Sequence, residues 1–378
     1  MRVLITGGAG FIGSRLAKRL ALGGAKLTLL DNLSPQVHGP GATFPVDLQR
    51  VGECVRGDVR DPALLARVLS GQDVVVHFAA ETGTGQSMYA VQQYEDVNIR
   101  GTAQLLDVLV NDRARSVSKI VLASSRAVYG EGKYECPAHG IVYPGPRSSA
   151  ALQAGHFEPV CPVCSADLVV LSTTEDVPFS PSSFYGLTKQ VQEQMVLMFA
   201  GTLGISGFGL RYQNVYGPGQ SLTNPYTGIL AVFSNLVRQG KGIDVFEDGL
   251  ESRDFVYVDD VVEATAACVD PSVSGVRALN VGSGVRTNVL QIAQAVVRYF
   301  KADVPIRVTG NFRLGDIRHN VADITALQQL TSFSPKWSFD EGLREFLSWA
   351  ALYEATDAGF ERSLVELRER GLLGTAKS

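Results

Sequence analysis

A tyrosine and a lysine four residues apart are the first candidates for chemistry in this sequence. Tyr185 and Lys189 stand near the start of a predicted helix, so their side chains share one face. A lysine ammonium beside a phenol lowers the pKa of the tyrosine and makes it a general base near neutral pH. The spacing alone also fits an ordinary surface pair. Ser124 and Ser125 end a predicted strand and add a hydroxyl that could bridge the phenol and a substrate, although serines there also cap helices.

Three of the five cysteines lie close together and are accompanied by histidine. Cys136-Pro-Ala-His139 and Cys161-Pro-Val-Cys164 form two pairs, each with two residues between the candidate ligands. Three thiolates and one imidazole are a closed tetrahedral set that suits structural Zn²⁺, with His156 as an alternative to His139. Free or disulfide-linked thiols are the other interpretation, and a reducing cytoplasm disfavours the disulfides.

A glycine-rich turn follows the first predicted strand and precedes a helix. Gly7 and Gly10 allow the backbone to approach a pyrophosphate at the helix N-terminus, and Gly13 allows close packing of helix on strand. Asp31 ends the second predicted strand, where a carboxylate binds both ribose hydroxyls and repels a 2′-phosphate. The pattern therefore predicts NAD rather than NADP, the alternative being a glycine turn that binds nothing.

Two further strand ends are expected beside the same cofactor. Asp58 ends the third predicted strand, where its side chain would reach the adenine, although a turn or a helix cap explains it equally well. Ala79 and Ala80 end the fourth strand and leave room for a cofactor that lies flat. Ordinary packing alanines are equally consistent with these two positions.

Alternating strands and helices must position these residues. Apolar β-branched runs such as VLIT and VVVHFAA alternate with helical patterns. The alternation predicts an α/β fold with a Rossmann-type, doubly wound parallel sheet, whose ligands bind beyond the carboxyl ends of the strands. We expect an NAD-binding domain over residues 1–210, to which residues 255–285 return, and a smaller C-terminal α/β substrate lobe over residues 211–350. A Cys-rich insertion is expected at residues 134–172, and a C-terminal helix and tail at residues 351–378.

Composition and charge argue against several classes of protein. Of 378 residues, 45% are apolar and 19% are charged, which is typical of a globular chain. The net charge is −4 and no basic stripe is present, so nucleic-acid binding is not expected. No apolar stretch approaches the roughly 18–20 residues of a membrane span, and the N-terminus lacks the order of a signal peptide. We expect a cytoplasmic protein that binds no membrane.

Nine features occur in a fixed order along the chain: GGAGFIG, Asp31, GDV, HFAA, SSRAVYG, YGLTK, RYQNVYGP, SRDFVYVDDV and RLGDIRHNVAD. Together they resemble the extended short-chain dehydrogenase/reductase family, specifically its NAD-dependent nucleotide-sugar epimerases and dehydratases. The resemblance covers about residues 1–345, apart from the insertion. It implies that Tyr185 is the catalytic base, that Lys189 is its partner and that Ser125 is the catalytic hydroxyl.

The resemblance also implies how the two ligands are bound. The diphosphate of a nucleotide sugar would contact Asn214, Arg253 and Arg313, and Ser125 would contact the sugar; arginine suits phosphate because its planar fork pairs two oxygens. Without the resemblance, each arginine fits a surface or interdomain salt bridge equally well. Besides Tyr185 and Lys189, the residues implied for NAD are Gly7, Gly10, Phe11, Ile12, Gly13, Asp31, Asn32, Asp58, Val59, Phe78, Ala79, Ala80 and Asn98.

The residues after Ser125 separate the reactions of the family. Dehydratases of the family carry an acidic pair there for the elimination of water, whereas this chain has Arg126 and Ala127. Decarboxylases of the family tend to carry Glu at the second of these positions. Oxidation at C4 followed by reduction from the other face needs no such pair, so the resemblance implies a 4-epimerase. A 3- or 5-epimerase would need further acid–base groups, for which a Cys or His near the pocket could serve.

The insertion and the run AAETGTGQSM (79–88) most resemble the dTDP-L-rhamnose 4-epimerases, which make dTDP-6-deoxy-L-talose. The alternatives are a UDP-hexose 4-epimerase or another nucleotide-sugar-modifying enzyme of the family. Two other classes are a non-catalytic NAD-binding scaffold and, least favoured, a nucleic-acid regulator that uses the zinc module. Members of the family commonly form homodimers through a four-helix bundle, here from the predicted helices near 95–111 and 184–199.

Overall fold

A seven-stranded parallel sheet forms the centre of the computed structural model, which describes residues 1–222, 228–355 and 360–377. Every pairing within this sheet is parallel, as apolar strands covered on both faces predict. The strands, numbered in chain order as β1 to β7, are Arg2–Thr6, Lys26–Asp31, Glu53–Arg56, Val74–His77, Lys119–Ser125, Ser206–Tyr212 and Val276–Val281.

The spatial order of the strands is β3-β2-β1-β4-β5-β6-β7. The chain therefore reverses direction across the sheet between β1 and β4, where Thr6 pairs with Leu30 on one side and with His77 on the other. A crevice opens outside the carboxyl ends of the strands at such a switch point, and ligands of doubly wound sheets bind there. The predicted fold class is confirmed.

Helices cover both faces of the sheet because side chains alternate along each strand. On β1, Val3 and Ile5 join the apolar cluster on one face, whereas Leu4 joins the cluster on the other. The first face packs against helices Phe11–Leu22 and Val258–Val269, and the second against helices Pro62–Leu69, Gly101–Asn111 and Phe184–Leu203. Short helices in the connections of this half are Pro35–His38, Val46–Gln49, Thr84–Ser87 and Val91–Tyr94, the last continuing into a π-helical turn at Glu95–Arg100.

A second core lies beyond the carboxyl edge of the central sheet. It packs a three-stranded sheet and a two-stranded sheet against three helices, with a further short helix Thr325–Thr331 outside this core. The strands are Asn214–Tyr216, Ser252–Tyr257 and Arg286–Asn288, then Ile243–Val245 and Ile306–Val308, and the helices are Ile229–Arg238, Val289–Phe300 and Phe339–Ala350.

The Cys-rich insertion folds as a separate small unit. Strands Tyr134–Cys136, Gly140–Val142 and Val169–Val170 form an antiparallel sheet, and one short helix, Ser149–Gln153, lies between them in the chain. Its apolar cluster contains only four buried residues, Tyr134, Cys136, Val142 and Cys161. Such a small cluster contributes little folding free energy, so the unit depends on its polar contacts or on a bound ion.

The C-terminal segment is more ordered than a tail. Helix Phe360–Glu369 is followed by strand Leu373–Thr375, which pairs antiparallel with strand Asn311–Arg313. This pairing places the chain end beside Arg313, one of the residues implied for diphosphate binding. Among the residues described, no helix has the length and apolar character needed to cross a membrane.

Candidate active site

The three implied catalytic residues meet at the carboxyl end of β5. Ser125 is the last residue of that strand, and Tyr185 and Lys189 lie in the first turns of the long helix Phe184–Leu203. The ammonium nitrogen of Lys189 lies 5.9 Å from the centre of the Tyr185 ring and donates a hydrogen bond to the carbonyl of Ala123 at 2.9 Å. Tyr185 is hydrogen-bonded to Ser125.

The pKa of Tyr185 departs from the expectation that the neighbouring Lys189 lowers it. Burial raises the pKa of Tyr185, and the hydrogen bond with Ser125 and the charge of Arg126 oppose this rise without reversing it. Burial also lowers the pKa of Lys189 to about 7. A desolvated lysine that is partly neutral offers less positive charge to a phenolate, which explains the difference. Ser125 and Arg126 therefore help to decide the proton affinity of Tyr185.

Hydrogen bonds from neighbouring loops fix the start of the catalytic helix. The backbone N–H of Tyr185 donates to the hydroxyl of Ser87 at 2.9 Å. The fully buried amide of Asn98 donates to Thr188 at 2.9 Å and to the carbonyl of Glu81 at 3.1 Å, and it accepts from the N–H of Glu81 at 2.8 Å. Asn98 thus joins the loop after β4 to the catalytic helix, a positioning role besides the one implied by the resemblance.

The glycine loop lies directly against the end of β4. Gly7 has a φ of +68°, and a Cβ there would stand 2.8 Å from the backbone nitrogen of Ala79. A Cβ on Gly13 would stand 2.3 Å from the carbonyl oxygen of Gly7, so the loop closes only with glycine at both places. Gly10 caps the helix Phe11–Leu22, whose first residues, Phe11 and Ile12, follow directly. These contacts make a cradle of backbone N–H groups at a helix N-terminus, as pyrophosphate binding requires.

Two carboxylates stand at the next strand ends. Asp31 ends β2, is 8% exposed, and accepts a hydrogen bond from the N–H of Ala9 in the glycine loop at 3.0 Å. Asp58 follows β3 and accepts from the Nη2 atom of Arg60 at 2.8 Å and from the amide of Asn32 at 3.3 Å. The contact with Arg60 is the main reason that the pKa of Asp58 falls to about 2. Asp58 is therefore an anion that is already partly neutralised.

The remaining residues implied for NAD lie just after the ends of β3 and β4. Val59 is 5% exposed and packs in the apolar cluster on one face of the sheet. The ring of Phe78 lies 6.2 Å from the ring of Tyr212 in an edge-on contact. Ala79 and Ala80 follow Phe78, and the N–H of Ala79 donates to Thr6. The small side chains of the two alanines leave the crevice open.

Two adjoining cavities lie between the sheet edge and the second core. The first contains Ser125 and Tyr185, and the second contains Arg253 and Arg313. The residues that line both are Thr84, Arg126, Asn214, Gly228 and Phe255. One ligand that spans the two cavities would therefore have its reacting end at the tyrosine and its charged end at the arginines.

Three guanidinium groups, those of Arg126, Arg253 and Arg313, and three carboxyl groups, those of Asp244, Glu251 and Asp316, line the second cavity. Burial and the nearby charge of Arg253 lower the pKa of Arg126 to about 10. Burial opposes the ionisation of Asp316, yet the charges of Arg253, Arg313 and Arg126 outweigh it and lower its pKa. The Nε atom of Arg313 is buried and has no hydrogen-bond partner among the described residues. Two of the carboxyl groups add little negative charge, because Asp244 is paired with Arg307 at 2.7 Å and burial raises the pKa of Glu251 to about 7. With Asp316 as the remaining anion, the three arginines leave this wall positive and suited to an anion.

Arg253 and Asn214 are held by neighbouring side chains and backbone. Arg253 donates to the carboxylate of Asp316 at 3.0 Å and to the carbonyl of Ile317 at 2.6 Å. Asn214 accepts from the Nε atom of Arg126 at 2.6 Å. Arg126, Asn214 and Arg253 therefore line one cavity, with Asn214 held by Arg126 and Arg253 held by Asp316 and Ile317.

Three residues of this site were missed by sequence reasoning. Arg126 was considered only as the replacement of an acid, although it directly follows Ser125. Both polar atoms of the Gln213 side chain and the Oε1 atom of Gln220 are buried without a partner among the described residues, and both glutamines line the cavity of Tyr185. The signal for Gln213 was its place beside Asn214 in the RYQN motif. Unpaired buried amides indicate that a polar ligand completes this cavity.

The two serines at the end of β5 have different surroundings. The hydroxyl of Ser124 donates to the buried carboxylate of Glu193 at 2.6 Å, and Glu193 forms an ion pair with Arg211 at 2.6 Å. This network lies under the sheet edge and holds Ser124 away from the cavity. Ser125, which lines the cavity, accepts a hydrogen bond from the N–H of Ala127 at 3.1 Å.

The structure brings together the four predicted metal ligands, called here the Cys/His cluster: Cys136, His139, Cys161 and Cys164. Their ligand atoms all lie within 4.8 Å of one another. The thiols are free, and the Sγ atoms of Cys136 and Cys164 are 3.7 Å apart, which is too far for a disulfide bond. The imidazole that joins the thiols is that of His139 rather than of His156.

Comparison with known proteins places the chain among nucleotide-sugar enzymes. The model of the NAD dependent epimerase/dehydratase family matches residues 3–149 and 165–282. The dTDP-L-rhamnose 4-epimerase of Burkholderia thailandensis is 39% identical over 352 residues, which cover 93% of this chain and 95% of that protein. The unmatched residues between the two parts of the family model include Cys161 and Cys164, so part of the insertion is additional to the family pattern.

Two solved structures share the fold over nearly their whole length. The UDP-glucose 4-epimerase of Thermotoga maritima with UDP-glucose has a TM-score of 0.74 and 27% identity, with 93% of this chain and 99% of that chain covered. The UDP-glucose 4-epimerase of Thermus thermophilus in complex with NAD has a TM-score of 0.70, 27% identity and the same coverage, 93% and 99%.

Proposed function

Because the chain belongs to the NAD-dependent epimerase/dehydratase family, as its motifs predicted, we propose that it is a nucleotide-sugar 4-epimerase. The relatives from Burkholderia thailandensis and Thermotoga maritima are named epimerases, so the prediction of an enzyme is confirmed and the non-catalytic scaffold is set aside. The observation that carries the proposal is the joined pair of cavities, with Ser125 and Tyr185 at one end and Arg253 and Arg313 at the other. An elongated substrate with a sugar and a diphosphate fits this arrangement.

The cradle for NAD fits the cofactor on the geometry of this chain. Gly7 and Gly13 leave no space for a Cβ, as a loop built for close approach of a pyrophosphate requires. The carboxylate of Asp31 at the end of β2 would bind the ribose hydroxyls, and Asp58 with Asn32 would stand near the adenine. When bound, this cofactor would supply the acceptor for a hydride that leaves C4 of the sugar and the donor for the reduction of the 4-keto sugar.

Tyr185 would remove the proton of the C4 hydroxyl as the sugar is oxidised, and it would return the same proton when the 4-keto sugar is reduced. Ser125 holds the phenol through its hydrogen bond and would contact the C4 oxygen. Inversion requires that the keto sugar turns over in the pocket, so the sugar must be held weakly and the diphosphate firmly. The arginine wall of the second cavity is suited to that task, because charge-assisted contacts to phosphate are the strong ones.

The side chains after Ser125 support epimerisation rather than dehydration. Arg126 and Ala127 offer no carboxyl group to the cavity of Tyr185. The elimination of water from a 4-keto sugar needs an acid to protonate the leaving hydroxyl. Among the described residues that line this cavity, none is Asp, Glu, Cys or His, which also disfavours epimerisation at C3 or C5.

The best substrate we propose is dTDP-L-rhamnose, which would give dTDP-6-deoxy-L-talose. The support is the similarity to the Burkholderia thailandensis dTDP-L-rhamnose 4-epimerase over 93% of the chain. A UDP-hexose is the second candidate, because the structural relatives from Thermotoga maritima and Thermus thermophilus are UDP-glucose 4-epimerases.

Incubation with a panel of dTDP-, UDP- and GDP-sugars, with products identified by NMR, tests both substrate candidates. If a UDP-hexose is turned over fastest, the UDP-hexose replaces dTDP-L-rhamnose as the proposed substrate. If no sugar of the panel is inverted at C4, the proposed 4-epimerase activity is overturned.

We propose two further properties. The second bound cofactor is a structural Zn²⁺ in the Cys/His cluster, because three thiols and one imidazole are a closed tetrahedral set.

The active form is a homodimer in which helices Gly101–Asn111 and Phe184–Leu203 of two copies pack together. On the latter helix, Leu187 and Met198 are exposed at 41% and 60%, and apolar residues on an outer face favour association.

A further inference from the structure

Three distances within the Cys/His cluster match the edges of one coordination tetrahedron. Zn²⁺ with Zn–S and Zn–N bonds near 2.3 and 2.0–2.1 Å places two sulfurs about 3.8 Å apart and a sulfur and a nitrogen about 3.5 Å apart. The Sγ atoms of Cys136 and Cys164 are 3.7 Å apart, and the Nδ1 atom of His139 is 3.5 Å from Cys136 and 3.6 Å from Cys161. These three distances fit a single Zn²⁺, and the ligand atoms of all four residues lie within 4.8 Å of one another.

The chain between the two ligand pairs forms a loop that such an ion would close. Cys136 and His139 precede residues 140–160, and Cys161 and Cys164 follow them. The backbone turns on both sides are ordered: the N–H of His139 donates to the carbonyl of Cys136 at 3.3 Å, and the N–H of Ser165 donates to the carbonyl of Cys161 at 2.8 Å. The loop has little apolar core, so the ion would be its main constraint.

Arg147 in this loop reaches the wall of the substrate cavity. Its side chain is 3% exposed and forms ion pairs with Glu131 at 3.2 Å and Glu247 at 2.8 Å. Its Nη2 atom also donates to the backbone carbonyl of Asp316 at 3.0 Å. Asp316 is the residue whose carboxylate holds Arg253, so Arg147 fixes the backbone on which that contact depends.

Glu158 in the same loop holds the side chains of Arg318 and His319, which follow Asp316 in that segment. It accepts from the Nε atom of Arg318 at 2.7 Å and contacts the Nε2 atom of His319 at 3.1 Å. Arg318 is fully buried, and its carbonyl accepts from the Nη1 atom of Arg253 at 3.0 Å. Arg147 and Glu158 therefore support the segment 316–319 from one side while Arg253 binds it from the other.

We infer that Zn²⁺ in the Cys/His cluster closes the loop 140–160 and thereby positions Arg253 for the substrate diphosphate through Arg147 and Glu158. The inference rests on the proposed nucleotide-sugar function. Arg147 and Glu158 are positioning residues, since they act on the arginine rather than on the substrate. The described hydrogen-bond partners of Arg147 and Glu158 all lie outside the glycine loop for NAD, so loss of the ion should weaken nucleotide binding and leave NAD bound.

The test uses the full chain purified without chelator, with Cys161→Ser as the variant and Cys54→Ser as the control, because Cys54 lies in β3 outside the cluster. The readouts are metal content by mass spectrometry, bound NAD by absorbance, and the Kd of dTDP and of UDP by titration calorimetry. The unchanged chain and Cys54→Ser should hold about one zinc each, and Cys161→Ser less than about 0.2. Cys161→Ser should bind the preferred nucleotide about tenfold more weakly and keep its NAD.

A second variant keeps all four ligands, so it separates positioning from folding. Glu158→Gln should retain zinc and NAD, bind the nucleotide several-fold more weakly and raise KM with little change in kcat. Glu135→Gln, on an exposed position of the same insertion, is its matched control and should change none of these.

If zinc is absent from the unchanged chain, the metal site is overturned. If Glu158→Gln retains both zinc and unchanged nucleotide affinity, the positioning role is overturned. If neither dTDP nor UDP binds the unchanged chain, the proposed function fails, whatever the zinc content.

Discussion

The phenol of Tyr185 is the single group on which the proposed proton transfer depends. Tyr185→Phe removes the hydroxyl and leaves the ring in its edge-on contact with Tyr94. We expect kcat to fall about 10²- to 10⁴-fold, as loss of a general base does, while NAD and the nucleotide stay bound. Turnover is measured by NMR of the two epimers. Tyr299→Phe, at a position 37% exposed and far from the cavities, is the control, and full activity of Tyr185→Phe would remove Tyr185 from the mechanism.

Arg126 affects both the base and the anion, so its replacement makes a two-part prediction. The charge of Arg126 lowers the pKa of Tyr185 against the larger effect of burial. In Arg126→Met the phenol therefore keeps its proton to higher pH, and the acidic limb of kcat/KM against pH should shift upward. Loss of a charge-assisted contact should also weaken nucleotide binding by about 1.5–3 kcal/mol.

The measurements for this variant are a pH–rate profile and a calorimetric titration with nucleoside diphosphate. Arg298→Met, on an exposed position of helix Val289–Phe300, controls for the loss of one positive charge from the molecule. If the acidic limb of the kcat/KM profile stays in place or moves to lower pH, Arg126 does not lower the pKa of Tyr185. Unchanged nucleotide affinity would contradict its contact with the diphosphate.

The positions of the catalytic residues could be predicted from the sequence, whereas their electrostatic surroundings could not, because those depend on the folded chain. Tyr185, Lys189 and Ser125 were predicted as a catalytic group because the motifs resemble those of the family, and local periodicity placed them at the ends of a strand and a helix. The net upward shift in the pKa of Tyr185 was not predicted, because it depends on desolvation by residues distant in the chain. Gln213 and Gln220 were missed for the same reason, since only the folded cavity shows that their amides are unpaired.

At the scale of elements, the turn between β1 and its helix makes the strongest prediction about the cofactor. In Gly13→Ala the new methyl would stand 2.3 Å from the carbonyl oxygen of Gly7, so the loop must shift. We expect the protein to lose its NAD and about 1–3 kcal/mol of unfolding free energy, the usual cost of overpacking. Absorbance of released cofactor and urea unfolding measure the two effects.

Gly201→Ala is the matched control for that glycine. A Cβ on Gly201 meets nothing within 4 Å, and the residue lies in the long helix Phe184–Leu203. This change should raise the free energy of unfolding by about 0.5–1 kcal/mol, because alanine loses less entropy than glycine in a helix. Retention of NAD by Gly13→Ala at unchanged stability would show that the turn is not the pyrophosphate cradle.

The alternation of elements predicted the central sheet but not the C-terminal pairing. Strands and helices of the sheet follow local apolar patterns, such as Val3 and Ile5 on one face and Leu4 on the other. Strand Leu373–Thr375 pairs with Asn311–Arg313 across a long sequence separation, and its three residues carry no apolar period. Register of this kind is set by tertiary contacts, so the sequence indicated only a helix and a tail.

At the scale of the whole molecule, one ligand path connects all the sites. The cofactor cradle opens at the switch point of the sheet, the reacting cavity adjoins it at Ser125, and the arginine wall belongs to the second core. The Cys-rich insertion supports that wall from outside through Arg147. Binding energy from the diphosphate can thus hold the substrate while the sugar is free to turn, which an epimerase that works on both faces requires.

The same whole-molecule view predicts the oligomeric state. The outer face of helix Phe184–Leu203 exposes Leu187 and Met198, and the adjacent helix Gly101–Asn111 exposes Val110. Met198→Lys places a charge in the proposed four-helix interface, which would be costly to bury unpaired, so we expect a monomer by light scattering where the unchanged chain is a dimer. Leu352→Lys alters a residue that is 81% exposed and outside these helices, and should leave the dimer intact. A dimer that persists in Met198→Lys would move the interface to another face, and a monomeric unchanged chain would end the proposal.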